Sequence, residues 1–151
     1  MAGNADKQFQ EFAARYLPAT RKRGVAAIAK LRKLIPGAHE LVYDNYNALV
    51  VAFSTSERAG DIICSIAFYP RWVSLFFLRG SDLPDPKGLL AASGKAIKHV
   101  VLEGDATLDN PDIQALVHQA RDRAPAAKGT GGMIIKSISK KQRPRRPAGD
   151  K

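Results

Sequence analysis

The apolar positions of this chain fall into two helical stretches, a run of strand-like segments and a further helical stretch. Phe9, Phe12, Ala13 and Tyr16 recur at spacings of three and four, which predicts a short helix over residues 6–17. Pro18 closes it, because the residue before a proline is biased away from helical geometry. A second helix is predicted from Thr20, read as its N-cap, to Ile35. Its wheel puts Ala27, Ile28 and Leu31 on one side and Lys22, Arg23, Lys30 and Lys33 on the other, so its outer face is cationic. Pro36 and Gly37 stop it.

Strand patterns then take over. Residues 40–44, 49–54, 62–69, 72–78 and 98–103 each read as a strand bounded by turn residues. The segment Trp72-Val-Ser-Leu-Phe-Phe-Leu78 is apolar on both faces, which predicts a central strand with Trp72 packed in the core. Gly80, Pro84, Pro86 and Gly88 make residues 80–90 a loop. In the last helix Asn110 is the cap, Pro111 suits the first position, and Ile113, Leu116 and Val117 form the buried stripe. The order predicts an α+β fold: an antiparallel sheet of about five strands, with two N-terminal helices and one C-terminal helix packed on it. Residues 1–126 read as a single domain. Residues 127–151, rich in glycine and ending in Gln142-Arg-Pro-Arg-Arg-Pro147, read as a basic flexible tail in which only 133–138 are suited to docking.

Charge changes the picture more than overall composition does. The chain carries a net +10, and its distribution is uneven. Residues 12–39 hold seven bases and no acid, and residues 128–151 hold eight bases against Asp150. The middle, 40–127, has eight bases and eleven acids. Two basic segments on a mildly acidic body suggest an anionic partner, nucleic acid or another polyanion. Lys22, Arg23, Lys30, Lys33, Lys140, Lys141, Arg143, Arg145 and Arg146 are the residues expected to meet it. At 45% hydrophobic residues the body can form a core, and no apolar stretch is long enough to predict a membrane span. With one cysteine and no recognisable signal peptide, a soluble cytoplasmic protein is expected, without membrane association.

No catalytic constellation assembles. There is no Gly-x-Ser-x-Gly elbow, and His39, His99 and His118 stand in unrelated contexts. Cys64 alternates with Ile62 and Ile66 and reads as a buried small hydrophobe. Five residues separate Gly88 from Gly94, and Ala96 stands where a phosphate-binding loop needs a hydroxyl. Neither a cofactor nor a metal site is expected. Tyr43-Asp-Asn-Tyr-Asn47 is unusual in offering two stacking faces and two amides between strands, although asparagines there also build turns. Tyr43, Asn45, Asn47, Asp82, Asp85, Lys95 and His99 form the candidate small-ligand pocket at the loop ends, and the sequence leaves open whether they converge.

Several segments resemble a known family. Tyr43-Asp-Asn-Tyr-Asn-Ala-Leu-Val-Val, Ile66-Ala-Phe-Tyr-Pro-Arg-Trp-Val, Phe77-Leu-Arg-Gly-Ser-Asp-Leu-Pro-Asp-Pro-Lys-Gly-Leu-Leu and Ser93-Gly-Lys are similar to the YdhG-like family of small bacterial domains, over residues 20–125. Lys136-Ser-Ile-Ser-Lys-Lys-Gln-Arg-Pro-Arg-Arg-Pro147 resembles the tail of one branch. The resemblance implies an α+β sheet covered by helices and names no reaction. Some members are likened to frataxin, which implies iron handling by a ridge of carboxylates. This chain departs there, since only Asp6 and Glu11 precede residue 40. It departs again at Ala92, where glycine is expected before Ser-Gly-Lys. The leading expectation is thus a non-enzymatic binding domain for an anionic partner such as nucleic acid; the alternative is a frataxin-like small-ligand or iron-handling module. The oligomeric state is not fixed by the sequence.

Overall fold

The computed structural model describes residues 3–127 and 131–148. Helices α1 (Asn4–Ala13) and α2 (Pro18–Leu34) lead into a four-stranded meander, β1 (His39–Asp44), β2 (Leu49–Ser54), β3 (Ile62–Phe68) and β4 (Val73–Phe77). Beyond a long loop come β5 (Ala91–Ala92), β6 (Lys98–Val101), helices α3 (Asp105–Asp109) and α4 (Pro111–Arg123), and finally β7 (Gly132–Ile138). The strands form one seven-stranded sheet in the order β5-β6-β4-β3-β2-β1-β7. Every pair is antiparallel except β1 with β7, which is parallel, so the sheet is mixed.

Register explains the core. One cross-strand row runs Ile135, Val42, Val51, Ile66, Leu75, Val100 across six strands and is apolar throughout. Its four inner members belong to a single buried cluster with Phe9 of α1, Leu31 of α2, Leu108 of α3 and Leu116 of α4, and Ile135 and Val100 pack against that cluster partly buried. All four helices therefore cover the same face. The neighbouring row, Tyr43, Val50, Ala67, Ser74, Val101, points the other way by the period of two. No helix covers that face among the described residues. Cys64 is fully buried in the core, and burial pushes its thiol up to about 12.

Two glycines set close approaches. A Cβ on Gly24 would lie 2.0 Å from the Phe68 ring, so α2 settles onto β3 at the one position lacking a side chain. Gly131, at φ +77, would place a Cβ 2.5 Å from the Gly37 carbonyl oxygen. Only glycine accepts that backbone in that space, and it leads the chain into β7.

The α+β class stands, but the sheet is larger than five strands and is not all antiparallel, and a short helix, α3, precedes the one predicted C-terminal helix. Two strands were hidden for physical reasons. Residues 91–92 are too short to show alternation, and β7 follows a glycine-rich stretch. The tail expectation is corrected for the described residues. Gly132–Ile138 is an edge strand on β1, and a bulge between Val42 and Tyr43 accommodates Lys136. Residues 128–130 and 149–151 of the predicted tail lie outside the described residues. Helix α2 begins three residues earlier than predicted, with Leu17 rather than Thr20 as its cap and Pro18 at its first turn, where a missing N–H costs nothing. Asn110 caps α4 as expected, its side chain accepting from the Asp112 N–H at 2.9 Å.

Candidate functional site

Three segments meet at one end of the sheet. The β1–β2 turn, residues 45–48, closes with the Asn45 N–H donating to the Ala48 carbonyl at 2.9 Å. Beside it the β3–β4 turn closes with Tyr69 N–H donating to the Trp72 carbonyl at 2.8 Å, and Pro70 fixes its first corner. The register pair Leu49–Phe68 makes these two turns neighbours. Residues 139–148 then cross this end as a strap. Ser139 N–H donates to Asp44 O and Arg143 N–H to Tyr46 O, each at 2.9 Å.

A buried ion pair clasps the strap. Arg145 Nη2 lies 2.9 Å from Asp44 Oδ1, with side chains only 4% and 2% exposed. The same guanidinium donates to the Asn45 carbonyl at 2.6 Å and stands over the Tyr16 ring. From outside, Arg15 Nη2 reaches Asp44 Oδ2 at 2.7 Å and Arg15 Nη1 donates to Gln142 Oε1 at 2.7 Å. Tyr16 ties helix to sheet: its hydroxyl donates to Phe68 O and accepts from Leu49 N–H, both at 3.0 Å. Burial pushes the Tyr16 phenol up, against the lowering influence of Arg145. Asp44 is thus a charge the interior tolerates because two guanidiniums surround it.

Outside the clasp lies a groove of about 600 Å³. One wall is the strap, with Arg143, Pro144 and Arg146; the other is Asn47, Tyr69, Arg71 and Trp72. Tyr69 and Trp72 stack, with ring centroids 5.1 Å apart and planes 23° from parallel, and Trp72 remains 41% exposed. Arg146 is held by neutral acceptors, its Nε donating to Arg15 O at 3.0 Å and its Nη2 to Tyr16 O at 3.3 Å, so no acid cancels its charge. Arg71, Lys140, Lys141 and Arg143 have no carboxylate partner among the described residues. Residues 45–47, 69–72 and 139–148 include six bases and no acid; of these six the adjacent Asp44 pairs with Arg145 alone, its other partner being Arg15 of the α1–α2 connection. The groove presents aromatic faces, an asparagine amide and uncancelled cations. These suit an anion with flat unsaturated groups.

The predicted residues distribute unevenly. Arg143 and Arg146 line the groove, and Lys140 and Lys141 are exposed on the same strap. Arg145 is corrected to a buried structural residue, consumed by Asp44. Lys30 is partly exposed but engaged: its Nζ donates to Asp105 O at 2.8 Å and pairs with the exposed Asp109 at 2.9 Å, linking α2 to α3. Arg23 is half-buried in the crevice beside Lys30, while Lys22 and Lys33 are exposed on α2. The predicted small-ligand pocket does not assemble. Tyr43, Asn45 and Asn47 sit at the turn end of the sheet, and Asp82, Asp85, Lys95 and His99 lie toward the opposite end, beyond β4 or at the start of β6. Asp85 is a turn former whose carboxylate accepts from the N–H groups of Leu89 and Leu90. His99 stacks on Phe76 and hydrogen-bonds the Ser93 hydroxyl. Among the described residues no three His, Cys, Asp or Glu side chains gather where a metal ion could be held.

Trp72 is the residue that the sequence reading misplaced. Trp72 was expected in the core, yet Val73, Leu75 and Phe77 are the core positions of β4, and alternation turns Trp72 to the other side. Ser74 was the available signal, since a serine two residues on marks the face away from the core. No family model, curated protein or solved structure matches the chain.

Proposed function

We propose that the protein is a non-enzymatic binding domain whose partner is a polyanion, nucleic acid, held in the groove between the strap and the two turns. Membership of the YdhG-like family is part of the same proposal, carried by the sequence segments quoted above. The supporting observation is the convergence of Arg71, Arg143 and Arg146 on the walls of one groove with an exposed, stacked Tyr69–Trp72 pair. The basic face of α2 has a smaller part in this reading, because the exposed Trp72 lies in the groove and no large exposed apolar side chain stands on α2 among the described residues. In this reading the cations meet phosphates and give affinity without sequence choice.

Salt dependence tests it. If Arg71, Lys140, Lys141, Arg143 and Arg146 each neutralise one phosphate of a single-stranded oligonucleotide, log affinity should fall against log salt with a slope of about −3 to −4. The double variant Arg71→Ala, Arg143→Ala should flatten that slope by about 1.4. Absence of binding at low salt, or an affinity indifferent to salt, overturns the reading.

A further inference from the structure

The groove is not only cationic; one wall is an indole. We propose that a nucleobase of a single-stranded nucleic acid stacks on the free face of Trp72 while its flanking phosphates sit against Arg71, Arg143 and Arg146. This rests on the polyanion reading above and adds the class of nucleic acid. Tyr69 backs the indole on one side at 5.1 Å, which fixes its plane, and the 41% exposure of Trp72 leaves surface for a second ring. A polyanion without aromatic rings, such as a sulfated sugar or polyphosphate, offers no flat unsaturated face to that surface. A duplex hides its base faces within its own stack, whereas a single strand can splay a base onto an aromatic side chain. Asn47, in the same wall, supplies an amide donor and acceptor that can meet a base edge. The Arg146 guanidinium is already immobilised by the Arg15 and Tyr16 carbonyls, so little side-chain freedom is lost when a phosphate docks beside it.

The site carries its own reporter, because Trp72 is the only tryptophan of the chain. Intrinsic fluorescence of the full-length protein is titrated with an oligothymidylate of about 12 nucleotides, with a duplex of the same length, and with heparin. The expected result is strong quenching by the single strand, weak quenching by the duplex, and binding of heparin without quenching. With the variants followed by the anisotropy of a dye-labelled oligothymidylate, and heparin by calorimetry, Trp72→Ala should weaken oligothymidylate binding roughly 5- to 150-fold, leaving the salt slope and the heparin affinity unchanged. Trp72→Phe should keep most of the affinity, and because Trp72 is not a member of the buried cluster both variants should fold, Trp72→Ala losing only its stack on Tyr69. Oligothymidylate and heparin binding with no quenching, and with Trp72→Ala equal to wild type, overturns the stacking proposal and leaves the polyanion reading standing. Equal quenching and affinity for duplex and single strand overturns the choice of single strand. Failure of the oligonucleotide and heparin alike to bind overturns both.

Discussion

Asp44 is the residue on which the turn end of the molecule depends. It is a carboxylate buried beneath a cationic surface, and its two oxygens are divided between Arg145 and Arg15. The two contacts differ in worth. Arg145 is enclosed and has no solvent to fall back on, while Arg15 is 43% exposed and can exchange its partner for water. Removing the buried charge leaves Arg145 uncompensated, so Asp44→Asn should destabilise the fold by about 3–5 kcal/mol. Arg15→Ala should cost less than about 1 kcal/mol. Urea unfolding of both variants checks this, and an Asp44→Asn variant as stable as wild type would show that the clasp is dispensable. The sequence named Arg145 and Asp44 without pairing them, since 101 residues separate partners whose meeting depends on β7. Arg145 therefore counted as a free cation when it is an interior one. Trp72 was misjudged for the opposite reason: a large apolar residue beside a core strand invites burial, and only the parity set by Val73 and Leu75 turns it outward.

At the scale of elements, the meander and the long helices were legible because their signals are local. Period-two segments bounded by turn residues gave β1 to β4, and Asn110-Pro111-Asp112 gave the start of α4. What escaped were pieces whose structure comes from their neighbours. The two-residue β5 exists through its pairing with β6, and β7 exists because β1 offers a free edge. A glycine-rich lead and a Pro-Arg ending resemble a linker by composition, yet the middle of the segment, Met-Ile-Ile, is a sound strand sequence. The strap after β7 can be examined by amide hydrogen exchange. Ser139 and Arg143 donate to Asp44 and Tyr46, so their amides should be protected well beyond those of Lys140 and Lys141. Uniform exchange of all four at the rate of an unstructured peptide would return the segment to the flexible tail of the sequence reading.

For the whole molecule, the fold separates two kinds of surface. Helices cover one face of the sheet, and where α2 meets α3 the cation Lys30 is neutralised by Asp109. The turn end gathers cations that no acid answers, beside an indole that the core does not take up. The overall charge imbalance was visible in the sequence; its location was not, because the basic helix and the basic C-terminal segment looked equivalent until the strap brought its cations to a groove with an exposed indole. Mapping amide chemical shifts of the full-length protein during titration with a short oligothymidylate tests the central claim most directly. Perturbations should concentrate at Asn47, at Tyr69 to Trp72 and along residues 139–148, with the indole N–H of Trp72 among the largest. Shifts confined to the outer face of α2 around Lys22 and Lys33, with the groove silent at saturating ligand, would contradict the account.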